Sequence, residues 1–440
     1  MFSGAPRLTA AAAPLPHAPT VGDLRDALDR LSVHDGAGLS ETELVEHLTA
    51  MEQLKSGLAA AQARVTATLA SQRSEAEAAA GVAADERCRG LGHEVGLARQ
   101  ESPVRGSQHL GLGLVLVHEL PHTLAALTRG EISEWRATLV ARETAVLSRA
   151  HRFAVDAELA DQLVGAGDKK VADLARKIGY RLDPGSALRR VRGAQGDRRV
   201  GLRPAVDTMA YLTGFLPVAQ GVACKAALEK EADRLRNQGD TRTRGQIMAD
   251  TLVSRVTGQT SAEGVPVEIA LVMTDQTLLG DDHTPAHLTG HGPIPASLAR
   301  RLARRADRTW VRRLYTKPSS NALVAMDSRR RVFDGELRQF LIWRDQTCRH
   351  SWCDAPIRHV DHVTRAAHGG ATSADNAQGL CEACNQAKEA PGWRSVRAPG
   401  RDHLVETTTP TGHRHRSRAP DPPGPPGYPV HIDLRFMPAA

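Results

Sequence analysis

The feature that most constrains the fold is a pair of cysteine knuckles late in the chain. Four of the six cysteines form a C-x4-C and a C-x2-C pair with 27 residues between them: Cys348, Cys353, Cys381 and Cys384. Thiolates are soft donors, and each short loop can place two sulfurs around one ion, so this spacing is typical of a tetrahedral zinc site. Four free buried thiols are the alternative, which the paired spacing disfavours. The sequence therefore predicts a small zinc-stabilised module.

An Asp361-His362 dipeptide lies between the knuckles. It supplies a hard carboxylate oxygen and an imidazole that can carry a proton near neutral pH, and a structural zinc needs neither. A strand over Ile357–Val363 would direct the two side chains to opposite faces. The alternative is a surface dipeptide on a zinc ribbon, but Asn376 and Asn385 in the same window favour a catalytic site.

Residues 348–393 resemble the HNH, or ββα-metal, endonucleases. The likeness rests on the two knuckles, Asp361-His362, the GG-x-T loop at Gly369–Thr372, the central Asn376, and a helix from Asn385 to Lys388. The third signature residue is Asn385 where many members have His. The window is therefore similar to the HNN, four-cysteine kind.

The resemblance implies a metal-dependent endonuclease that hydrolyses DNA phosphodiester bonds. His362 would be the general base, and Asp361 and Asn385 would hold a catalytic Mg²⁺ or similar divalent ion. Asn376 would brace the loop and orient the histidine. The zinc would be structural, because so small a module buries little apolar surface. A zinc-stabilised nucleic-acid-binding protein without cleavage activity is the alternative function.

Positive charge is concentrated just upstream of this window. The chain has a net charge of +7, and residues 300–350 hold 14 Lys/Arg against five Asp/Glu. Such a segment attracts phosphate backbones through counterion release. The candidate nucleic-acid contacts are Arg329, Arg330, Arg331 and Arg344. The alternative is that these arginines only cover solvated helix faces.

The first three hundred residues have a helical signal. Aromatic residues make up only 3% of the chain, so its cores are mostly Ala, Leu and Val, which favours helices. Ser40 and Glu43 form a capping-box pattern, and apolar residues then recur every seven positions from Leu44 to Val65. This long helix could form a homodimer or pack in its own domain. Residues 95–120 favour a plain helical hairpin over a helix-turn-helix.

This long region resembles the domain of unknown function 222, which precedes HNH modules in many high-GC bacterial proteins. The sharpest likeness is Gly239–Arg244 with Gln246 and Ala249-Asp250. The resemblance gives a domain order without a mechanism. We expect the chain to comprise a flexible tail (1–38), a helical domain (39–260), a mixed connecting region with a basic helix (261–335), the nuclease (336–396) and a Pro/Arg-rich tail (397–440).

The expected fold class is a mainly α N-terminal region, a small α+β C-terminal domain and disordered tails. Val265–Leu279 is the best strand candidate, with no long strand-type alternation before it, and a helix opens after Gly292–Pro295 and ends near Arg305. After Trp393, Pro, Gly and Arg predict an unpacked tail that is a candidate for added phosphate contacts.

The apolar segments and the cysteines of the chain bear on its location and its partners. The first twenty residues have no apolar core long enough for export, and the longest apolar run, Leu110–Val117, is far short of a membrane span. Thiols arranged for zinc fit a reducing cytoplasm. We therefore expect a cytoplasmic protein with DNA as its partner and no membrane. A helical scaffold protein is a third function class.

Overall fold

The computed structural model describes residues 19–258, 270–280, 282–305, 309–315, 333, 335–398, 403–424 and 430–436. As predicted, the chain is mainly helical, with a small α+β region late in the sequence. Nine helices occupy the first part of the described chain: α1 (Val21–Ser32), α2 (Glu41–Ala79), α3 (Leu91–Ala98), α4 (Pro103–Glu119), α5 (Pro121–Thr128), α6 (Glu134–Glu143), α7 (Arg149–Leu163), α8 (Asp168–Leu182) and α9 (Pro184–Gly196).

Helix α2 is the long helix that the sequence predicts. Its capping box is formed: the Glu43 amide donates to Ser40 Oγ, and the Ser40 amide donates to the Glu43 carboxylate at 2.8 Å. The buried face of this helix consists largely of alanines, from Ala59 to Ala70, and the first of them, Ala59 to Ala63, pack with α4 and α5 in the main helical core. Leu58 and Val65, which belong to the apolar repeat, are exposed. The helix therefore packs in its own domain through small residues, and homodimerisation stays a prediction.

Helices α3 and α4 form the predicted helical hairpin. They approach so closely at Gly106 that a Cβ atom there would lie 2.1 Å from the Gly92 carbonyl oxygen. Glycine is required at this position because any side chain would separate the helices. Gly106 of α4 thus serves packing within the hairpin, whereas Gly113 of the same helix faces α2, where a Cβ atom would lie 2.9 Å from the Ala63 carbonyl oxygen.

A β-hairpin that the sequence does not predict follows α9. It consists of β1 (Arg199–Pro204) and β2 (Ala210–Phe215), and all of its residues are exposed. The helices α10 (Val218–Asn237) and α11 (Arg244–Thr257) come next. Between them Arg242 pairs with Asp240 and Asp250. Ion pairs around the start of α11 therefore account for the polar residues of the stretch from Gly239 to Asp250 that carries the likeness to the domain of unknown function 222.

The connecting region begins with strand β3 (Ala270–Thr274), inside the predicted strand. The following residues form a short helix, because Thr274 Oγ1 accepts a hydrogen bond from the Thr277 amide at 2.9 Å and caps it. The remaining elements are α12 (Asp275–Leu279), β4 (Ala286–Leu288), β5 (Gly292–Ile294), α13 (Ala296–Arg305) and β6 (Thr309–Tyr315). Helix α13 ends at the predicted residue.

The ββα module comprises α14 (Gly335–Asp345), β7 (His359–His362), β8 (Ala377–Leu380) and α15 (Glu382–Lys388). Strand β7 is shorter than predicted and pairs antiparallel with β8, so that His362 lies opposite Ala377. Helix α14 packs on this hairpin, with Leu341 fully buried in a cluster that includes Ala377. Asp361 and His362 therefore lie on the β7–β8 hairpin between two helices, and Asn385 lies on one of those helices, α15.

The prediction of an unpacked tail after Trp393 is wrong for most of the described residues there. Strands β9 (Arg394–Arg397), β10 (Leu404–Thr408) and β11 (Arg414–Arg418) form an antiparallel sheet in the order β11-β10-β9, which we call the C-terminal sheet. Strand β12 (Val430–Phe436) lies between β3 and β6 in a five-stranded sheet of order β5-β4-β3-β12-β6. A Pro/Gly-rich stretch lies between β11 and β12 in the sequence. The prediction of an unpacked tail rested on the composition of the whole segment after Trp393, which hid the strands on either side of this stretch.

No single helix among the described residues is long and apolar enough to cross a membrane. Helices α4 and α5 pass the length and composition test only as a pair, and they are bent by 109° relative to each other.

Candidate metal centre and catalytic site

The four cysteines of the two knuckles come together as predicted. Their Sγ atoms all lie within 4.8 Å of one another, and Cys353 Sγ is 3.8 Å from Cys381 Sγ. A tetrahedron with Zn–S bonds of about 2.3 Å has sulfur–sulfur edges of about 3.8 Å. The donor set therefore fits a four-thiolate zinc ion.

Local structure positions these sulfurs before any ion binds. Cys381 is the N-cap of α15, and its sulfur accepts a hydrogen bond from the Cys384 amide at 3.4 Å. In the first knuckle the Cys348 amide donates to the Ala355 carbonyl at 2.9 Å, which closes the loop. The mutual hydrogen bonds of the thiols, together with burial, raise the pKa of Cys348 and Cys384, while the hydrogen bond from Cys348 lowers the pKa of Cys353. Four thiolates this close together would repel one another, and a bound dication would offset that repulsion.

Asp361 and His362 occupy the end of strand β7. The His362 ring is buried, and its Nε2 lies 2.9 Å from the hydroxyl of Thr372. Its Nδ1 is 3.9 Å from Asp361 Oδ1, and the ring of Phe333 packs against it with a centroid separation of 4.6 Å. The histidine is thus held between a hydroxyl, a carboxylate and an aromatic ring.

Asn376 makes the bracing contacts that the resemblance implies. Its side-chain oxygen accepts from the Thr364 amide at 2.8 Å, and its amide nitrogen donates to the carbonyls of Thr364 and Ala371, both at 2.9 Å. The loop passes so close that a Cβ atom at Gly370 would lie 1.8 Å from the Thr364 carbonyl oxygen. Glycine is therefore needed there, and the loop fixes Thr372 beside His362.

Asn385 and Lys388 lie three residues apart on α15, so their side chains share one face of the helix. That face meets β7, because Lys388 Nζ donates to both the Asp361 carboxylate and the His362 carbonyl. The side-chain oxygen of Asn385 is buried and has no hydrogen-bond partner among the described residues. Burying an unpaired carbonyl oxygen costs about 1–3 kcal/mol, so a cation ligand is a natural partner for it.

Arg344 is not the phosphate contact that the sequence predicts. It is buried, donates to the carbonyls of Ala374 and Ala377, and pairs with the fully buried carboxylate of Asp345. A guanidinium bonded in this way holds α14 against β8 and cannot reach solvent. The other three candidates, Arg329, Arg330 and Arg331, lie outside the described residues.

Asp345 organises a buried ionic network behind the β7–β8 hairpin. It accepts from Arg344, from Arg349 at 3.0 Å and from the Gly379 amide of β8 at 2.7 Å. Burial alone would raise the pKa of Asp345, but the two guanidinium groups and the amide hold it below its usual value. The carboxylate thus stays ionised and links the knuckle region to β8.

Sequence reasoning assigned no role to several residues that shape the site. Thr372 and Lys388 belong to the HNH-like motif, but their contacts with His362 and Asp361 depend on the fold. Asp345 is the last residue of α14 and Arg349 follows four residues later, outside the helix, so no helical spacing rule predicts their ion pair. Nothing in the sequence shows that this pair is buried.

The helical region contacts the ββα module through helix α3. Glu94 is buried and accepts hydrogen bonds from Arg73 of α2 at 2.8 Å and from Thr411 in the turn between β10 and β11. Leu97 packs with Ala390 and Trp393 just after α15. Glu94 therefore joins three parts of the chain that are distant in sequence.

Comparison with known families gives two matches along the chain. The model of the domain of unknown function DUF222 matches residues 37–345, and that of the HNH endonuclease matches residues 346–390. Searches of curated proteins and of solved structures gave no match. The second match covers both knuckles and the β7–β8 hairpin, whereas α14, which packs on that hairpin, falls in the first.

Proposed function

The chain belongs to the DUF222 family, and from this membership together with its HNH endonuclease domain we propose that it is a metal-dependent endonuclease that hydrolyses DNA phosphodiester bonds. The observation that carries the proposal is the buried oxygen of Asn385, which has no hydrogen-bond partner in the described part of the chain and lies on the helix face that meets Asp361. These two side chains offer the hard oxygen donors that Mg²⁺ or Mn²⁺ prefers.

Asp361 and Asn385 would hold the ion. When bound, a divalent cation would polarise the scissile phosphate and stabilise the charge that develops on the leaving oxygen. Asp361 Oδ1 already accepts from the His362 amide at 2.8 Å, and its other oxygen from Lys388. Each carboxylate oxygen has a further lone pair, so both contacts leave room for a ligand bond.

His362 is the proposed general base. If its Nε2–H donates to Thr372, then Nδ1 is the basic nitrogen that takes a proton from the attacking water. The nearby carboxylate of Asp361 would stabilise the imidazolium that results. Asn376 fixes the loop that carries Thr372, and so it sets the orientation of the histidine ring without touching substrate.

One observation favours the second candidate function, a zinc-stabilised nucleic-acid-binding protein without cleavage. The ammonium of Lys388 is buried and already neutralises Asp361. A permanent ion pair at this carboxylate would compete with a catalytic cation. The two candidates differ in whether divalent ions support cleavage, which a direct assay can decide.

The test is nicking of supercoiled plasmid with Mg²⁺ or Mn²⁺ by the wild type, His362→Ala and His359→Ala. His359 is exposed on the same strand and serves as the matched control. We expect His362→Ala to slow nicking by about 10²–10⁴-fold, the usual contribution of general base catalysis, and His359→Ala to leave it unchanged.

Equal nicking by His362→Ala and wild type would contradict the assignment of the base. DNA binding by the wild type without nicking under any divalent ion would support the second candidate.

A further inference from the structure

The C-terminal sheet has one face dominated by arginine. Strand β11 reads Arg-His-Arg-Ser-Arg, and its burial alternates, so that Arg414, Arg416 and Arg418 are exposed while His415 and Ser417 are partly covered. Successive residues of a strand point to opposite faces. The three arginines therefore share the solvent-facing side of this strand.

Strand pairing adds a fourth arginine to the same face. Thr408 of β10 lies opposite Arg414 on one side and Arg394 of β9 on the other. Directly paired residues have their side chains on the same side of a sheet, and Arg394 is exposed. We call this surface the arginine face, defined by Arg394, Arg414, Arg416 and Arg418.

The arginine face has a net positive charge. Glu406, on this side of the sheet, pairs with Arg416 at 2.9 Å and with Arg414 at 3.6 Å, and Asp421 pairs with Arg418 at 3.5 Å, so that four arginines face two carboxylates. The side chains of Arg416 and Arg414 are still about 70% exposed, at 67% and 71%. The Glu406 side chain is only 12% exposed, but both guanidinium groups lie at the surface, where the phosphate groups of a polyanion can reach them.

The opposite side of the sheet is fixed to the ββα module. The buried guanidinium of Arg349 donates to the Ser417 carbonyl and to the His403 carbonyl, each at 2.8 Å. The same guanidinium pairs with Asp345, which binds the Gly379 amide of β8. One chain of buried contacts thus connects the arginine face to the catalytic hairpin.

We propose that the arginine face binds the phosphate backbone of DNA, on a sheet that buried contacts hold to the catalytic hairpin. This inference rests on the proposed function, since it supplies that nuclease with a substrate-binding surface. Guanidinium groups match phosphate geometry and neutralise the backbone without reading bases. The surface would therefore contribute affinity and register, with no sequence preference.

The test measures binding separately from cleavage. Every variant carries His362→Ala and is purified at its normal zinc content, and binding of a fluorescent 20-base-pair duplex is followed by anisotropy across salt concentrations, with no Mg²⁺ or Mn²⁺ and no chelator added. The test variant is Arg414→Gln/Arg416→Gln/Arg418→Gln. The matched control removes three exposed arginines of the helical region: Arg234→Gln/Arg236→Gln/Arg255→Gln.

We expect the test variant to bind at least about tenfold more weakly, and its salt dependence to fall by about 0.9 in log–log slope for each phosphate that is no longer neutralised. The control should bind like the parent. Equal weakening by both triple variants, or an unchanged slope in the test variant, would overturn the proposal. Because no cleavage is measured, failure of the nuclease assignment would appear in the nicking assay instead.

A second variant, which is expected to bind DNA more tightly, excludes misfolding as the cause of the weaker binding. Glu406→Gln removes the carboxylate that engages Arg414 and Arg416. It should tighten duplex binding severalfold, with a steeper salt dependence. Misfolding cannot produce such a gain, and a loss of affinity in this variant would contradict the assigned surface.

Discussion

The ββα module and the helical region are stabilised in different ways. The module depends on a few directed contacts, namely four sulfurs, the amide of Asn376 and the carboxylate of Asp345. The helical region depends on many undirected ones, and its main core contains small and aliphatic side chains from Ala59 on α2 to Ile178 on α8. Directed contacts need a particular residue at each position, whereas aliphatic packing accepts several.

This difference explains why the sequence of the ββα module predicts functional residues, whereas the sequence of the helical region does not. A residue such as Asn376 has few substitutes, because it donates and accepts at fixed positions at once. A residue such as Ile178 can exchange for another aliphatic of similar volume. The comparison predicts an abrupt response to substitution in the module and a graded one in the helical region.

The largest effect is expected from removal of one zinc ligand by Cys384→Ser. Structural zinc contributes roughly 10–16 kcal/mol in small domains, more than such a module can replace by packing. The variant should lose its zinc, lose nicking activity and become open to proteolysis within residues 346–390. The helical signal in circular dichroism should persist. Metal analysis and limited proteolysis measure this, with Cys224→Ser, at an exposed isolated thiol, as the control.

A smaller effect is expected from Asp345→Asn. Removing one partner of a buried ion pair leaves Arg344 and Arg349 uncompensated and costs about 3–5 kcal/mol. Denaturant unfolding should show the module melting first while zinc stays bound under native conditions. Asp354→Asn, at an exposed position of the first knuckle, provides the control. Equal stability of the two variants would show that the buried network is dispensable.

The smallest effect is expected from Ile178→Val in the helical core. Removing one buried methylene group costs about 0.5–1.5 kcal/mol. Thermal unfolding should report this loss for the helical region, with unchanged zinc content and unchanged nicking. A collapse of nicking in this variant would break the comparison, because it would mean that the helical packing controls the chemistry.

Prediction from sequence succeeded where chemistry sets the spacing. The cysteine cluster, the strand with Asp361-His362 and the capped helix α2 all depend on contacts between residues that are close in sequence or of an unusual type. It failed at Arg344, because basic charge in a sequence does not reveal that a buried carboxylate neutralises it. It also missed the β1–β2 hairpin, whose strands are exposed on both faces and so show no burial pattern.

Strand β12 has a consequence for how this protein is made. It is inserted between β3 and β6, although the ribosome synthesises it after the whole ββα module and the C-terminal sheet. Until then, the nascent chain holds two strands that lack their shared neighbour, with open hydrogen-bonding edges. Translation speed through the nuclease segment, and chaperones that shield β-edges, should therefore affect the yield of this protein more than the stability of any single core.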